Sequence, residues 1–504
     1  MASHTSIITS WKSLPAEIRI TILELVAHQK HPGWASLASV CRQWQDILEK
    51  ANYRKLKIRS SRLGEFTSMV PPNKRHLIRH IWFDIELRRY NLRCCSNWRS
   101  TMEHTGRTVT KAVRKIYSIL SSWEAANELT LELNVVCPSD SEHFFPNLYF
   151  STDYVENEEE ALEPYVAVYP YNDPNHGWLH GVPVGLPSMP ATHQLLHPIR
   201  LELNSKTLPI VKAVTQLIIH RQLRHDILPF SLAELLQSLP CLENIVYEPW
   251  DSKDMFMELE DESLSFIIRN QLPKRLKRLV VFQDSNNFHR TLPISFIQLA
   301  PLDRQDRYDE AFAFKSLELS HLVVSFMVDA EDMFRICQPI WIWPKLQTLS
   351  LTSQLLQSDY EERDEIDALL CRAGNLVQQI SKMRTFVLWN CGKDHACAFM
   401  YRVDRNDYPS ITWRGTWHLE MSPCIIESWQ NVASTLPSCR LGIREEHIEK
   451  TIGSHADAIY YLKLPIQVVE PASLWQMRRE AKGLYTVSRR DRSSDLCQVI
   501  KDEF

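Results

Sequence analysis

Apolar residues close to the amino-terminal end recur at helical spacing. Ile18, Ile22 and Leu25 lie three or four residues apart, and Pro15 stands where the first turn of a helix accepts a residue without an N–H group. A second apolar stripe follows a turn at 31–33 and consists of Leu37, Val40, Cys41, Trp44, Ile47 and Leu48. A unit of about 45 residues is near the lower limit for a stable core, so we expect it to complete its core against something else.

The pattern after residue 58 alternates short apolar runs with amphipathic helices. Helical stripes extend over 109–123 and 366–380. Strand-like runs lie between such helices, at 78–83, 129–135, 276–282, 346–351 and 386–389. Strands that alternate with helices over hundreds of residues pair in parallel, so the sequence predicts an α/β fold.

The strand-like runs share an internal template of the leucine-rich type. Residues 346–351 fit L-x-x-L-x-L, and 383–391 and 126–134 fit its longer form with one or two substitutions. Looser and irregularly spaced fits occur at 242–247, 276–281 and 319–324. Because one strand and one helix cannot bury their apolar faces alone, we predict an irregular leucine-rich-repeat-like solenoid over 75–395. The alternative is an open α/β sheet of another kind.

Three further regions depart from this rhythm. Nine of the 27 prolines fall within 138–198, so this segment is a long insertion that either helps to build a recognition surface or is a solvated excursion. Residues 396–480 are expected to form a hairpin and a helix that close the solenoid. The basic segment 481–504 is interpreted as a solvated tail, with a nuclear signal as the alternative.

Composition and charge exclude several classes of function. Because 57 Lys and Arg stand against 61 Asp and Glu, the formal charge is -4, and no basic field attracts nucleic acid or a membrane surface. Only 12 glycines are present, and no Gly-rich phosphate loop or G-x-S-x-G motif occurs. Twelve cysteines without a C-x-x-C pair, and the lack of a signal peptide or apolar span, favour the cytoplasm or the nucleus.

No group of cysteines or histidines meets the requirements of a metal site. Cys391, His395 and Cys397 are close in sequence, and Cys94 is adjacent to Cys95. Neither group has the partner pair that a structural zinc ion requires. We therefore predict neither a metal nor a cofactor.

We also predict that the protein is not an enzyme and assign no catalytic residue. The enzyme alternative places an active site at the 138–198 insertion, where His176, His180 and Glu158 would have to converge with Asp407. A deep pocket with such convergence would favour an enzyme, and a broad surface would favour a binding protein.

Two motifs in the amino-terminal unit resemble those of the F-box family. The first is L-P-x-E-I followed by I-L, at 14–18 and 22–23, and the second is S-V-C-R-x-W at 39–44, followed by Y-R-K-L at 53–56. The connection H-P-G-W-A-S-L stands where the family has an acidic, leucine-rich turn. Residues 411–479 also resemble the uncharacterised carboxyl half of a filamentous-fungal F-box-like family.

The F-box resemblance implies a three-helix module over 11–58 that binds a Skp-type adaptor and, through it, a cullin and a RING subunit. It assigns adaptor-contact or module-core roles to Leu14, Pro15, Ile18, Ile22, Leu23, Val40, Cys41 and Trp44. The implied function is substrate recognition in an SCF-type ubiquitin ligase, with an unknown target protein bound by the solenoid. The alternatives are an adaptor-binding protein that joins no cullin, and a plain helical hairpin packed on its own protein.

Overall fold

The structure is a computed structural model that describes most of the chain between residues 11 and 481. The described ranges are 11–29, 34–90, 98–124, 128–137, 197–203, 207–250, 264–283, 305–358, 363–392, 394–437 and 440–481, with a few short pieces between 139 and 196. Most of the predicted insertion and nearly all of the basic tail lie outside these ranges.

A 3-10 turn at Trp11–Ser13 and three longer helical segments form the amino-terminal unit, which we call the N-terminal module. The longer segments are α1 at Ala16–Gln29, a 3-10 segment at Trp34–Ser39 and α2 at Arg42–Arg54. The chain passes directly from α2 into strand β1, Lys55–Arg59. Residues 55–58, which the sequence assigned to the module, therefore belong to the sheet instead. The reason lies in K-L-K-I-R, whose polar and apolar residues alternate with the period of a strand.

Twelve described strands form a single sheet, in which the order of the strands follows the order of the sequence. The strands are β1 Lys55–Arg59, β2 His80–Glu86, β3 Leu129–Val136, β6 Val214–Ile219, β7 Asn244–Tyr247, β8 Arg278–Phe282, β9 His321–Asp329, β10 Thr348–Thr352, β11 Thr385–Gly392, β12 His395–Val403, β13 Pro409–Gly415 and β14 Gly442–His447. Two short strands, β4 Trp178–Leu179 and β5 Val182–Pro183, pair with each other.

The first nine strands of the twelve-stranded sheet, β1 to β3 and β6 to β11, pair in parallel, which confirms the α/β class that the alternating pattern predicts. The hairpin predicted after residue 396 is present, because β12 pairs antiparallel with β13. β12 is also antiparallel to β11, and β14 is parallel to β13. The sheet therefore continues past residue 395, where the sequence placed a boundary.

One row of apolar side chains crosses the middle of the sheet. Its members occupy neighbouring positions of the pairing register: Leu217, Ile245, Leu279, Leu322, Leu349 and Phe386. The last five are the middle positions of the leucine-rich template. The structure confirms that these runs occupy equivalent positions in neighbouring strands.

Helices cover both faces of the sheet, but unequally. The first face packs against α3 Leu63–Met69, α4 Trp98–Leu120, α5 Pro229–Gln237, α6 Leu264–Asn270, α7 Gln305–Ser316, α8 Ala330–Ile336, α9 Arg363–Gln378 and α10 Pro423–Ala433. The second face packs, over its central strands, against α11 His455–Leu462 and α12 Pro471–Ala481. Among the described residues, no helix combines the length and the apolar character needed to cross a membrane.

The second face has an apolar core of its own. Val246, Val280 and Val323 point to this face, where Ile459 and Leu462 of α11 belong to the same buried cluster. Strands that are buried on both faces read as nearly continuous apolar runs, which explains why strict alternation is weak in this part of the sequence.

Several of the described tryptophans lie in the core rather than on the surface. Trp343, Trp389, Trp413 and Trp429 are fully buried, whereas Trp341 is partly buried. The Trp429 indole donates to the Leu370 carbonyl at 3.1 Å and the Trp343 indole donates to Ser316 Oγ at 2.8 Å. These large side chains therefore stabilise the helix layer on the first face.

Candidate functional site

The N-terminal module exposes the apolar stripe that its periodicity defines. Ile18 is 48% exposed and Leu25, seven residues further along the same helix face, is 57% exposed. Val40, between the 3-10 segment and α2, is 59% exposed. Isolated apolar residues are common on surfaces, but several on one small unit make it a candidate contact surface.

The eight residues carried over from the F-box resemblance divide by exposure. Pro15, Ile18, Val40 and Cys41 are exposed, and Leu14, Ile22 and Trp44 are partly buried. Leu23 is completely buried, so it serves the core of the module rather than a partner contact. The Trp44 ring lies 5.4 Å from that of Trp11. Ile20 and Leu25 add exposed apolar area that the motif comparison did not assign.

Helix α2 attaches the N-terminal module to the rest of the chain. Glu49 of α2 pairs with Lys74, and the Tyr53 hydroxyl donates to the Met69 carbonyl at 3.3 Å. Leu48 of α2 is completely buried. Because α2 makes these contacts and α1 packs on α2, the stripe on α1 remains open to a partner.

A second group of functional interest is a buried charge cluster on the second face of the sheet. Glu132 of β3 lies between two imidazoles: its carboxylate is 2.7 Å from His80 Nε2 and 3.0 Å from His220 Nε2. Glu248, which follows β7, lies 3.5 Å from His220 Nδ1. The parallel register brings these residues together, because β2, β3, β6 and β7 are consecutive in the sheet.

The cluster continues into the carboxyl-terminal helix α12. Ser473 Oγ lies 3.2 Å from His220 Nδ1, and the Glu470 N–H group donates to Glu248 at 2.7 Å. Arg221 makes two parallel hydrogen bonds of 2.9 Å to Glu480. Charge-assisted bidentate pairs of this kind are the strong ones, so this cluster ties α12 to the sheet.

Burial and charge shift the pKa values inside the cluster in opposite directions. Desolvation alone would raise the pKa of Glu132, but the charge of His220 and hydrogen bonds from His220 and His80 outweigh it and lower the pKa to about 2. Desolvation would likewise lower the pKa of His220, but Glu132 and Glu248 raise it to about 10. Both groups are therefore charged at neutral pH.

Ser473 contacts His220, and His220 contacts Glu132. This is the order in which a nucleophile, a base and an orienting acid contact one another in a catalytic triad. Ser473 is completely buried, however, and its hydroxyl also bonds to Glu248. A nucleophile needs access to a substrate, so this arrangement acts as a structural tie. This arrangement was not predicted from the sequence; the one signal was the charged residue Glu132 inside the mainly apolar strand L-T-L-E-L-N-V-V.

The candidate metal ligands have other environments. Burial raises the pKa of the Cys391 thiol to about 12, and the Cys397 thiol contacts the Leu356 carbonyl at 3.4 Å. Within the described part of the chain, no group of three or more His, Cys, Asp or Glu side chains is arranged to hold a metal ion. Cys94 and Cys95 lie outside the described residues.

The residues of the enzyme alternative are not brought together by the described structure. His176, His180 and Glu158 lie outside the described residues. Asp407 is described and pairs with Arg384 at the turn between β12 and β13.

Part of the chain matches a protein family. Residues 271–470 match a family that is described as a family of unknown function (DUF6546). The matched region extends from the residues before β8 to those before α12 and covers less than half of the chain, so the N-terminal module lies outside it. No curated protein matches this sequence.

Proposed function

We propose that this protein is the substrate-recognition subunit of an SCF-type ubiquitin ligase in the cytoplasm or the nucleus. In this proposal the N-terminal module binds a Skp-type adaptor, and the strand-and-helix region binds a target protein. The observation that carries the proposal is the exposure of the apolar side chains of Ile18 and Leu25 on α1 and of Val40 just before α2. These residues lie in the segment whose L-P-x-E-I and V-C-R-x-W motifs resemble the F-box.

The burial pattern of the module supports this proposal over that of a plain helical hairpin. A hairpin packed on its own chain would bury the face that its periodicity defines, as Leu23 and Leu48 are buried here. Burial of apolar area stabilises by about 25 cal/mol per Å², so exposed apolar residues on one face favour a partner that covers them.

No catalytic group is required of such a subunit. A ligase of this type accelerates ubiquitin transfer by holding the target close to the loaded conjugating enzyme, which converts an encounter between two molecules into a local reaction. The buried charge cluster around Glu132 fits this role, because it holds α12 against the sheet that would present the target-binding surface.

The test is a pulldown of a Skp-type adaptor with the full chain and surface variants. We expect Ile18→Asp and Val40→Asp to lower adaptor recovery at least tenfold, because each places a charge in an apolar interface, and Leu14→Ala/Pro15→Ala to weaken it. The control is Ile340→Asp, because Ile340 is also an exposed apolar residue but lies outside the N-terminal module, before β10.

The outcomes separate the proposal from its alternatives. Adaptor recovery that is unchanged in Ile18→Asp and Val40→Asp would contradict the F-box assignment. Recovery of the adaptor without a cullin would instead favour an adaptor-binding protein that acts outside the ligase.

A further inference from the structure

A cleft of about 340 Å³ lies at the carboxyl-terminal end of the sheet, on the second face. We call it the β12–β14 cleft. Its floor is formed by side chains of the last three strands: Met400, Arg402, Ser410, Thr412, Arg414 and Arg444. Its volume is in the range of ligand pockets in proteins.

The register places the floor residues in neighbouring rows. Thr412 lies opposite both Met400 and Arg444, and Ser410 lies opposite Arg402. Arg402 and Arg444 are thus two strands and two residues apart, which corresponds to about 12 Å between Cα atoms at ordinary sheet spacings. Both long side chains can therefore reach one small ligand between them.

Two walls enclose this floor. On one side the Tyr408 ring packs over Gly442, where an added Cβ atom would lie 3.1 Å from Tyr408 Cε1. On the other side Lys463 follows the last residue of α11 and lines the cleft. Lys463 adopts the left-handed conformation with φ of 45°, in which glycine is the usual residue. Lysine is less favourable than glycine in this conformation. Its presence at the helix end therefore indicates a role for the ammonium group in the cleft.

The charges of the cleft are unbalanced. It is lined by four cations and two carboxylates, Asp404 and Glu446. Glu446 pairs with Arg414, and Asp404 accepts hydrogen bonds from the N–H groups of Asn406 and Tyr408. Within the described residues, the remaining cations have no ion pair; they are Arg402, Arg444 and Lys463.

We propose that the β12–β14 cleft binds a phosphorylated serine or threonine of a partner protein. A phosphate monoester carries a charge between -1.5 and -2 at neutral pH and has three strong acceptor oxygens, which matches three cations around two hydroxyl-bearing positions, Ser410 and Thr412. Arginine clusters are a recurring means of recognising phosphorylated peptides. The cleft would thereby supply the target site of the proposed ligase subunit.

Charge and shape favour a phosphopeptide over other anionic partners. Nucleic acid requires an extended basic track with aromatic residues for stacking, whereas this cleft is confined to three strands and has one aromatic wall, Tyr408. A lipid surface requires an apolar or polybasic rim, and the formal charge of the whole chain is -4.

The experiment measures fluorescence anisotropy of labelled degenerate peptides with one central phosphoserine, against the same peptides with serine. We expect the full chain to bind the phosphorylated pool at least tenfold more tightly and inorganic phosphate to compete. Arg402→Gln/Arg444→Gln should lose this preference. Lys382→Gln, which removes one exposed cation outside the cleft, should keep it.

A second variant distinguishes binding from folding. Lys463→Gly places the preferred residue at the left-handed position, so the helix end should be kept or improved while phosphopeptide binding falls at least threefold. Equal binding of both peptide pools, binding retained by Arg402→Gln/Arg444→Gln, or preference for RNA or phosphatidylserine vesicles would overturn the proposal.

The identity of the partner as a ubiquitination target rests on the proposed function, but phosphopeptide binding does not. Ile18→Asp should bind the phosphorylated pool like the wild type. A failed adaptor pulldown with intact peptide binding therefore rejects the ligase role alone, and the reverse result rejects the cleft alone.

Discussion

At the scale of single residues, Glu132 is the central group of the buried charge cluster on the second sheet face. Its carboxylate contacts His80 and His220 at once, and no other described carboxylate is within bonding distance of both imidazoles. Removal of one partner from a buried ion pair costs about 3–5 kcal/mol, because the remaining charge stays buried without compensation. The contacts of Glu132 are therefore worth more than those of the exposed pairs, such as Arg62 with Glu65.

The pKa shifts predict how the stability of the protein depends on pH. The pKa of His220 is raised to about 10 by Glu132 and Glu248, so its contribution is complete below pH 6.5 and is lost as the pH rises toward 10. The pKa of Glu132 is lowered to about 2, so its contribution is complete above pH 4.5 and is lost as the pH falls. We expect the free energy of unfolding to fall by about 2 kcal/mol from pH 6.5 to 8.5.

Urea unfolding at several pH values checks this expectation. Glu132→Gln should lower the free energy of unfolding by about 3 kcal/mol at pH 6.5 and flatten its decline toward pH 8.5, because His220 is then neutral over more of the range. Glu128→Gln is the matched control, since Glu128 is exposed just before the same strand. A wild-type stability that stays constant between pH 6.5 and 8.5 would contradict the charged state of His220.

The exposed apolar residues of the N-terminal module and the buried charge cluster differ in how far the sequence can reveal them. Ile18 and Val40 each belong to one of the F-box-like motifs and to one of the two helical stripes, so the local sequence suggests a surface there. Glu132, His220 and Glu248 are separated by tens of residues and meet only through the sheet register. Their pairing could not be predicted because register and tertiary contact are not local properties.

At the scale of elements, helix α12 is held by charge as much as by apolar burial. The Arg221 side chain is 1% exposed and its guanidinium is balanced by Glu480. The same guanidinium stacks 4.6 Å from the Trp250 ring centre, and the Trp250 indole donates to the Arg221 carbonyl. Loss of the carboxylate would leave a buried cation, so α12 should detach before the sheet unfolds.

Hydrogen exchange measures this local opening. In Glu480→Ala we expect the amides of 471–481 to exchange at least tenfold faster than in the wild type, while those of α10 stay protected. Glu427→Ala on α10 is the control, because it removes an exposed glutamate from a helix of similar length. Unchanged exchange at 471–481 would mean that apolar packing alone holds α12.

Elements were predictable where the apolar pattern is strong and missed where it is weak. The runs that became β8, β10 and β11 were evident, because β8 and β11 are rich in Leu, Val and Phe and the leucines of β10 fit the leucine-rich template. β14, with G-I-R-E-E-H, has one large apolar residue and pairs only because β13 presents an open edge. The second buried face also escaped prediction, because nothing local indicates that α11 and α12 return across the sheet.

At the scale of the whole molecule, the two proposed surfaces occupy opposite ends of one sheet. The N-terminal module leads into β1, and the β12–β14 cleft lies on the last three strands. Twelve strands at about 4.8 Å give a path of about 53 Å along the sheet. The central part of the second face is covered by α11 and α12, so a target bound on this face meets the exposed cations at its carboxyl-terminal end.

Because the two surfaces are far apart, we expect a substitution at one surface to impair binding there and to leave binding at the other surface intact. In a reconstituted ligase, Ile18→Asp should abolish ubiquitination of a phosphorylated target while the isolated chain still binds it, because the charge disturbs only the α1 stripe. Arg402→Gln/Arg444→Gln should abolish the same reaction while the adaptor is still recovered, and Lys382→Gln should leave both intact.

Sites more than about 10 Å apart without shared partners act additively, so each variant should leave the affinity at the other surface within a factor of two. A variant at one end that changes affinity at the other would instead require a coupled rearrangement of the sheet, which the continuous buried core between them opposes.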